Sequence, residues 1–203
     1  MGLFDSIKRS VTNEVKKDAG KAVTSAAQKT VNAVKGQNKS ETFTFSAIPT
    51  SLAELQSLPE ASLDSPYKTA ALTVLVMCAY EQHTDAVLEM IDWLNGPNDV
   101  SGQTKQFLRD RLSGKYYKPY SFFKGATVEN NYTPTTPYTI TVSSNPYSFT
   151  EEGWARILVK SAGADSERFI QLRSKPSTGQ WFLNNSFDFL ADIRTPAAAD
   201  PWA

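Results

Sequence analysis

The spacing of apolar residues along the chain changes period twice. Over residues 1–40 the apolar positions lie three and four apart, beginning Leu3, Phe4, Ile7, Val11, Val15 and Ala19 and ending at Val31 and Val34. That is the period of one helix face. The pairs Val11/Ala22, Val15/Ala26 and Val23/Val34 repeat at eleven residues, which is about 3.67 residues per turn and keeps the stripe on one side of a nearly straight helix. From Leu3 to Val34 such a helix would run about 48 Å. Gly20 and the many Val and Thr residues lower its intrinsic propensity, so it is expected to form against a surface and not alone.

After the polar stretch KGQNKSE, the segment TFTFSAI alternates as a short strand with Phe43 and Phe45 on one face. The period then returns to helical. Ser51 and Glu54 form a capping box ahead of Leu55 and Leu58, with a stop near Pro59. Ser65 before Pro66 starts a second helix, and the run from Ala70 to Tyr80 is apolar all round, which predicts a buried central helix. A third begins near Thr84, with Val87, Leu88, Ile91 and Leu94 inward and a stop at NGP. Ser101 opens a fourth that turns Phe107, Leu108 and Leu112 inward.

The last change is to strand period. YTITVS places Tyr138, Ile140 and Val142 on one face, and ARILVKS, RFIQLRS and QWFLNN follow, separated by turns at Gly163 and KPSTG. The expected fold is α+β, an N-terminal amphipathic helix and then a helical layer packed on a C-terminal antiparallel sheet. Two domains are expected: a basic amphipathic arm at 1–40 and a globular domain at 41–203.

Charge sharpens that division. The 203 residues balance 21 basic against 21 acidic side chains, yet residues 1–40 carry a net +5 and the remainder −5. A basic arm on an acidic body points to an anionic partner for the arm, or to the body itself. Leu3, Phe4, Ile7, Val11 and Val15, with Lys8, Arg9 and Lys16 beside them, are the expected contacts with an anionic membrane surface or a protein partner. Packing on its own domain, self-association through the Ala-rich stripe, and a flexible basic tail are the competing readings. The apolar run at 70–80 is far short of the roughly 20 residues that cross a bilayer, and Asp5, Lys8 and Arg9 interrupt the start where an export signal would be apolar. The single cysteine, Cys78, sits in the apolar run and reads as core filling in a reducing compartment. A cytoplasmic, membrane-associated protein is the resulting expectation.

Chemistry is sparse. With one His and one Cys there is no zinc-type ligand cluster, no phosphate-binding glycine motif occurs, and His83 reads as a solvated or capping residue. Glu151 and Glu152 are adjacent acids in a turn, where solvation is the ordinary fate. No catalytic residue, cofactor or metal is assigned. The most suggestive patch is GKYYKPYSFFKG at 114–125, where Tyr116, Tyr117, Tyr120, Phe122 and Phe123 alternate with Lys115, Lys118 and Lys124, a mixture that can stack bases and neutralise phosphates. It serves either as a ligand or partner patch or as a set of core anchors. Nucleic acid is disfavoured because a net −5 body repels phosphate. Arg156, Lys160, Arg168 and Arg173 lie on predicted strands and suggest a basic outer sheet face. Trp202, near the end, suggests docking on the body or on a partner.

The strings FTFSAIPTSLAELQSLPEASLDSPYKTAALTVL, YTPTTPYTITVSSNPYSF, SAGADSERFIQLRSKPSTGQWFL and DIRTPAAADPWA resemble an uncharacterised bacterial family, a domain of unknown function. Its members similarly begin MGLF with an Ala/Val-rich arm. The resemblance implies a bacterial cytoplasmic origin, which sets aside the myristoylation pattern formed by Gly2 and Ser6. It brings no known reaction.

The function expected from the sequence is non-enzymatic binding or scaffolding, with recruitment to a membrane surface or assembly through the arm. The alternative is a small-molecule-binding or enzymatic domain with a site between helices and sheet, recognisable by a concave pocket with convergent polar groups. If the arm is a membrane anchor, the full chain co-sediments with anionic liposomes and a chain lacking residues 1–40 stays in the supernatant; equal behaviour of the two removes the membrane role.

Overall fold

The computed structural model describes residues 38–184 and 187–202. The described residues form one compact unit. The arm contacts assigned to Leu3, Phe4, Ile7, Lys8, Arg9, Val11, Val15 and Lys16 lie outside the described residues.

The domain opens with strand β1 (Lys39–Phe45), followed by helices α1 (Leu52–Gln56), α2 (Pro66–Met77), α3 (Thr84–Asn95) and α4 (Gly102–Leu112). Strands β2 (Tyr138–Ser144), β3 (Trp154–Val159), β4 (Arg168–Lys175) and β5 (Gln180–Leu183) complete it. The five strands form one sheet in chain order, every neighbour antiparallel. The α+β class is as expected, with one refinement: the sheet is not purely C-terminal. β1 pairs with β2 along its whole length, Lys39 opposite Ser144 and Phe45 opposite Tyr138, so the four helices are inserted between two paired strands. Because β1 starts at Lys39, a truncation that keeps the sheet whole must retain Lys39 and Ser40.

The helix starts follow the capping residues. The Ser51 hydroxyl accepts from the Glu54 N–H at 3.3 Å, while the Glu54 carboxylate reaches one residue further back than in the usual box and accepts from both the Thr50 N–H and hydroxyl, at 2.7 and 3.0 Å. The Ser65 hydroxyl caps α2 at the Tyr67 N–H, and the Ser101 hydroxyl caps α4 at the Thr104 N–H.

α2 is the core. All of its residues except Lys68 are buried, and it touches all five strands as well as α3. Its polar groups are matched: the Tyr67 hydroxyl donates to Ser144 Oγ at 2.8 Å, and Thr69 Oγ1 donates to the Trp181 carbonyl at 2.8 Å, tying the helix to β2 and to β5. Cys78, at its C-terminal end, is buried with Sγ 3.7 Å from the Val74 carbonyl, and burial pushes its thiol pKa up.

Two inward assignments change. On α3 the buried set is Val87, Met90, Ile91 and Leu94, and Leu88 is half-buried at the flank of that stripe. On α4 Leu108 and Leu112 are fully buried, whereas Phe107 is half-buried with the Arg111 guanidinium 5.1 Å from its ring centre; the cation covers one ring face in place of the core. Ile157 and Val159 point into the core and Arg156 outward. On the outer face Arg156 lies over Phe169 and Arg173 over Trp154, beside a Thr42–Thr141 hydroxyl pair at 2.8 Å. Arg168 does not share that face; its guanidinium donates to the Asp192 carbonyl. Trp202 is 94% exposed and does not dock on the described body.

Leu75 is fully buried in α2, where it has little room to be replaced by anything smaller without leaving a void. Leu75→Ala is expected to lower unfolding stability by about 2–5 kcal/mol, seen as a reduced urea midpoint at unchanged slope.

Candidate functional site

The segment GKYYKPYSFFKG divides its aromatic residues between two environments. Phe122 and Phe123 enter the core, Phe122 meeting Phe189 edge-on at 5.6 Å between ring centres and Phe123 meeting Tyr138 at 6.0 Å. Tyr116, Tyr117 and Tyr120 stay half-buried and line a cleft of about 480 Å³. The segment therefore supplies both core residues and cleft-lining ones. Lys118 is the exception: it is buried and does not line the cleft, and burial holds its ammonium pKa below the ordinary lysine value, with Lys115 and Arg111 acting in the same direction.

Four stretches of chain converge on this cleft. Glu81 comes from the turn between α2 and α3. Tyr116 and Tyr117 follow α4, and Tyr120 sits in the single 3₁₀ turn Pro119–Phe122. The Tyr120 hydroxyl donates to the Cys78 carbonyl at 3.0 Å, which fixes that turn to the end of α2. Behind it, Ser121 and Ser161 share a buried hydroxyl contact at 2.7 Å, and the Ala162 N–H donates to the Ser121 carbonyl, joining the turn to the sheet. Tyr138 opens β2. The remaining wall is the loop 131–136, including Tyr132, Thr133 and Pro134, and the Thr136–Pro137 peptide beside it is cis.

That loop holds an uncommon backbone. Asn131 and Tyr132 both have φ of 56°, a left-handed conformation that costs a bulky residue free energy. Neighbouring hydrogen bonds over-determine it. The Asn130 side-chain oxygen accepts from the N–H groups of Thr127 and Thr133, at 2.8 and 3.1 Å, and its amide donates to the carbonyls of Gly125 and Thr133 at 2.7 and 3.0 Å. Tyr132 is then clamped by its own side chain. Its hydroxyl donates to the Arg194 carbonyl at 2.9 Å, and its ring stacks on Tyr117 at 5.5 Å with 11° between planes. Gly163 permits this placement: a Cβ there would lie 2.2 Å from the Tyr132 hydroxyl.

The lining contains five tyrosines, one carboxylate and no Lys, Arg or His. Burial pushes the Tyr120 pKa up to about 12, with Cys78, Tyr138 and Glu81 adding in the same direction. Burial likewise raises Tyr132. Near neutral pH these hydroxyls are uncharged hydrogen-bonding groups, and the rings present apolar, π-rich faces.

Elsewhere, His83 is exposed at the N-cap position of α3 and makes no side-chain capping bond, while Glu151 and Glu152 are exposed ahead of Gly153. Among the described residues no three His, Cys, Asp or Glu side chains are grouped to hold a metal ion, and no helix is long and apolar enough to cross a membrane. Sequence reasoning missed Glu81, Tyr132 and Tyr138 as lining residues. The sequence pattern places Tyr138 on one strand face with Ile140 and Val142, and says nothing of what the residues ahead of it meet in space.

The described residues thus form an α+β domain with a tyrosine-walled cleft built from the turn after α2, the segment after α4 and the chain leading into β2. The chain belongs to the family described as Domain of unknown function (DUF6935), which it matches over residues 47–197. The match contains every residue lining the cleft. No curated protein and no solved structure matches the chain.

A raised tyrosine pKa has a definite sign for stability. Between the ordinary value of 10.0 and about 12 the folded state keeps the Tyr120 proton that the unfolded chain has lost. The stabilisation is therefore complete below about pH 10 and declines as pH rises through that window. Ultraviolet titration should find a tyrosine still protonated above pH 11 on about this scale, and Tyr120→Phe should remove that late step and flatten the alkaline loss of stability.

Proposed function

We propose that the domain is a non-enzymatic binding module whose tyrosine cleft takes a small organic ligand, with the basic arm tethering it to an anionic membrane surface or a protein partner in the cytoplasm. The observation that supports this reading best is the convergence of five tyrosine rings, from separate stretches of chain, around one concave volume. Tyr132 is buried and stacks on Tyr117, while Tyr116, Tyr117, Tyr120 and Tyr138 keep part of their surface exposed. Two of the rings are anchored from behind, Tyr120 by the Cys78 carbonyl and Tyr132 by the Arg194 carbonyl. Walls fixed in this way lose little further freedom when a ligand enters, which favours binding. The volume lies within the roughly 300–1,000 Å³ usual for small-molecule sites.

Binding is favoured over catalysis by the chemistry of the lining. Acid–base work calls for a group poised near the working pH, and a lining with a single carboxylate, in which burial raises Tyr120 and Tyr132 away from that range, offers no matched acid–base pair. Partner and ligand selection, with the arm bringing the domain to its surface, is the resulting role.

A ligand screen by protein-observed NMR on the full chain should give saturable hits whose amide shifts cluster at Tyr116, Tyr132 and Tyr138. Tyr116→Ala should weaken those hits by about tenfold, roughly the 1.4 kcal/mol scale of one lost aromatic contact. Hits that map elsewhere, or none across a chemically diverse set, would overturn the reading.

A further inference from the structure

We infer that the cleft selects an organic cation, a small alkylammonium or quaternary ammonium compound, held against tyrosine faces and balanced by the Glu81 carboxylate. This rests on the binding role proposed above and adds the charge and class of the ligand.

The first support is the lining itself. Aromatic faces carry the negative lobes of the ring quadrupole and attract cations placed within about 6 Å of the ring centre. Five such rings surround this cleft, and the only charged side chain among its lining residues is acidic. An anionic ligand would meet Glu81 and no balancing cation. A cation meets both sources of attraction.

The second support is where this chain places its own cations over rings. Lys39 lies 4.9 Å over Tyr67, Arg111 5.1 Å over Phe107, Arg156 5.4 Å over Phe169 and Arg173 5.2 Å over Trp154. Among the described residues, no such contact involves a tyrosine of the cleft. Tyr116, Tyr117, Tyr120 and Tyr138 are half-buried there, and Tyr132 is buried against Tyr117. Lys118, the lysine flanked by Tyr117 and Pro119, is buried away from the lining.

The third is position. Glu81 is exposed in the turn after α2, and its charge acts on the Tyr120 hydroxyl. Glu81 and the five tyrosines line the same cleft. Quaternary ammonium groups are weakly hydrated and cannot donate hydrogen bonds, so rings plus one nearby carboxylate meet their needs. Asn131 and Thr133, also in the lining, can accept from or donate to a hydroxyl on the remainder of such a ligand.

Calorimetry on the full chain should use choline, tetramethylammonium, the uncharged isostere of choline in which carbon replaces nitrogen, and glucose. Both ammonium probes should bind saturably, and choline at least about tenfold more tightly than its isostere. Glu81→Gln should weaken choline several-fold and shrink that preference, with the fold judged intact by its unchanged unfolding midpoint. Tyr120→Phe, which keeps the ring, should retain binding. Failure of both ammonium probes to bind, or an isostere that binds as well as choline, overturns the inference. Glucose or another neutral compound that binds the cleft as tightly as choline would overturn the cation assignment while leaving the binding role standing; a cleft that takes nothing in either experiment removes both.

Discussion

Burial of α2 is the constraint on which the other features depend. A helix apolar on every side has no stable place at a surface, so the chain must supply neighbours all round it. The five-stranded sheet covers one side, α3 another, and the turns at Pro59–Ser62 and Pro119–Phe122 close the remainder. Each fully buried Leu or Val along it contributes about 1.5–3 kcal/mol relative to exposure. Tyr67 and Thr69 then fix the position of the helix against β2 and β5 through hydrogen bonds made inside the core. In a setting shielded from water these bonds are costly to leave unmade, which makes them determinants of register more than sources of net stability.

The cleft is a by-product of how that helix ends. Past Met77 the chain turns, the Cys78 carbonyl is left without a helical donor, and the Tyr120 hydroxyl supplies one. The turn at 119–122 is thereby held against the helix end, and the tyrosines flanking it cannot follow Phe122 and Phe123 inward. On the facing side the left-handed backbone at Asn131 and Tyr132 is tolerated because Asn130, Thr127 and Arg194 fix it from several directions. Strain of this kind persists where the surroundings impose it. It aims the Tyr132 ring at Tyr117, and the pair forms a preformed wall.

Charge is distributed to match. Cations on the outer sheet face lie over Phe169 and Trp154, so that face presents covered rings. The cleft lining holds five tyrosines, four of them half-buried, and one acid, with none of these cations over its rings. One chain thus uses cation–ring attraction in two ways, internally to shield apolar surface and, in the reading proposed for the cleft, to recognise a ligand.

Much of the fold was legible in local sequence. Ser51, Ser65 and Ser101 marked helix starts because a hydroxyl at the N-cap satisfies a free N–H wherever the helix happens to sit. Alternation in YTITVS and ARILVKS fixed which residues face the core, since side chains on a strand must alternate. The apolar run at 70–80 announced a buried helix. The sequence also singled out Tyr116, Tyr117 and Tyr120, from composition alone. It was silent on which aromatics of that segment would enter the core, on the pairing of β1 with β2 across some ninety intervening residues, and on the meeting of Glu81, Tyr132 and Tyr138. Those depend on contacts between residues remote in the chain, and local periodicity carries no information about them. The amino-acid order determined the elements and their buried faces; only the packing of α2 against the sheet decided which tyrosines were left to form a cleft, because the space available to each ring is set by neighbours that arrive from elsewhere in the fold.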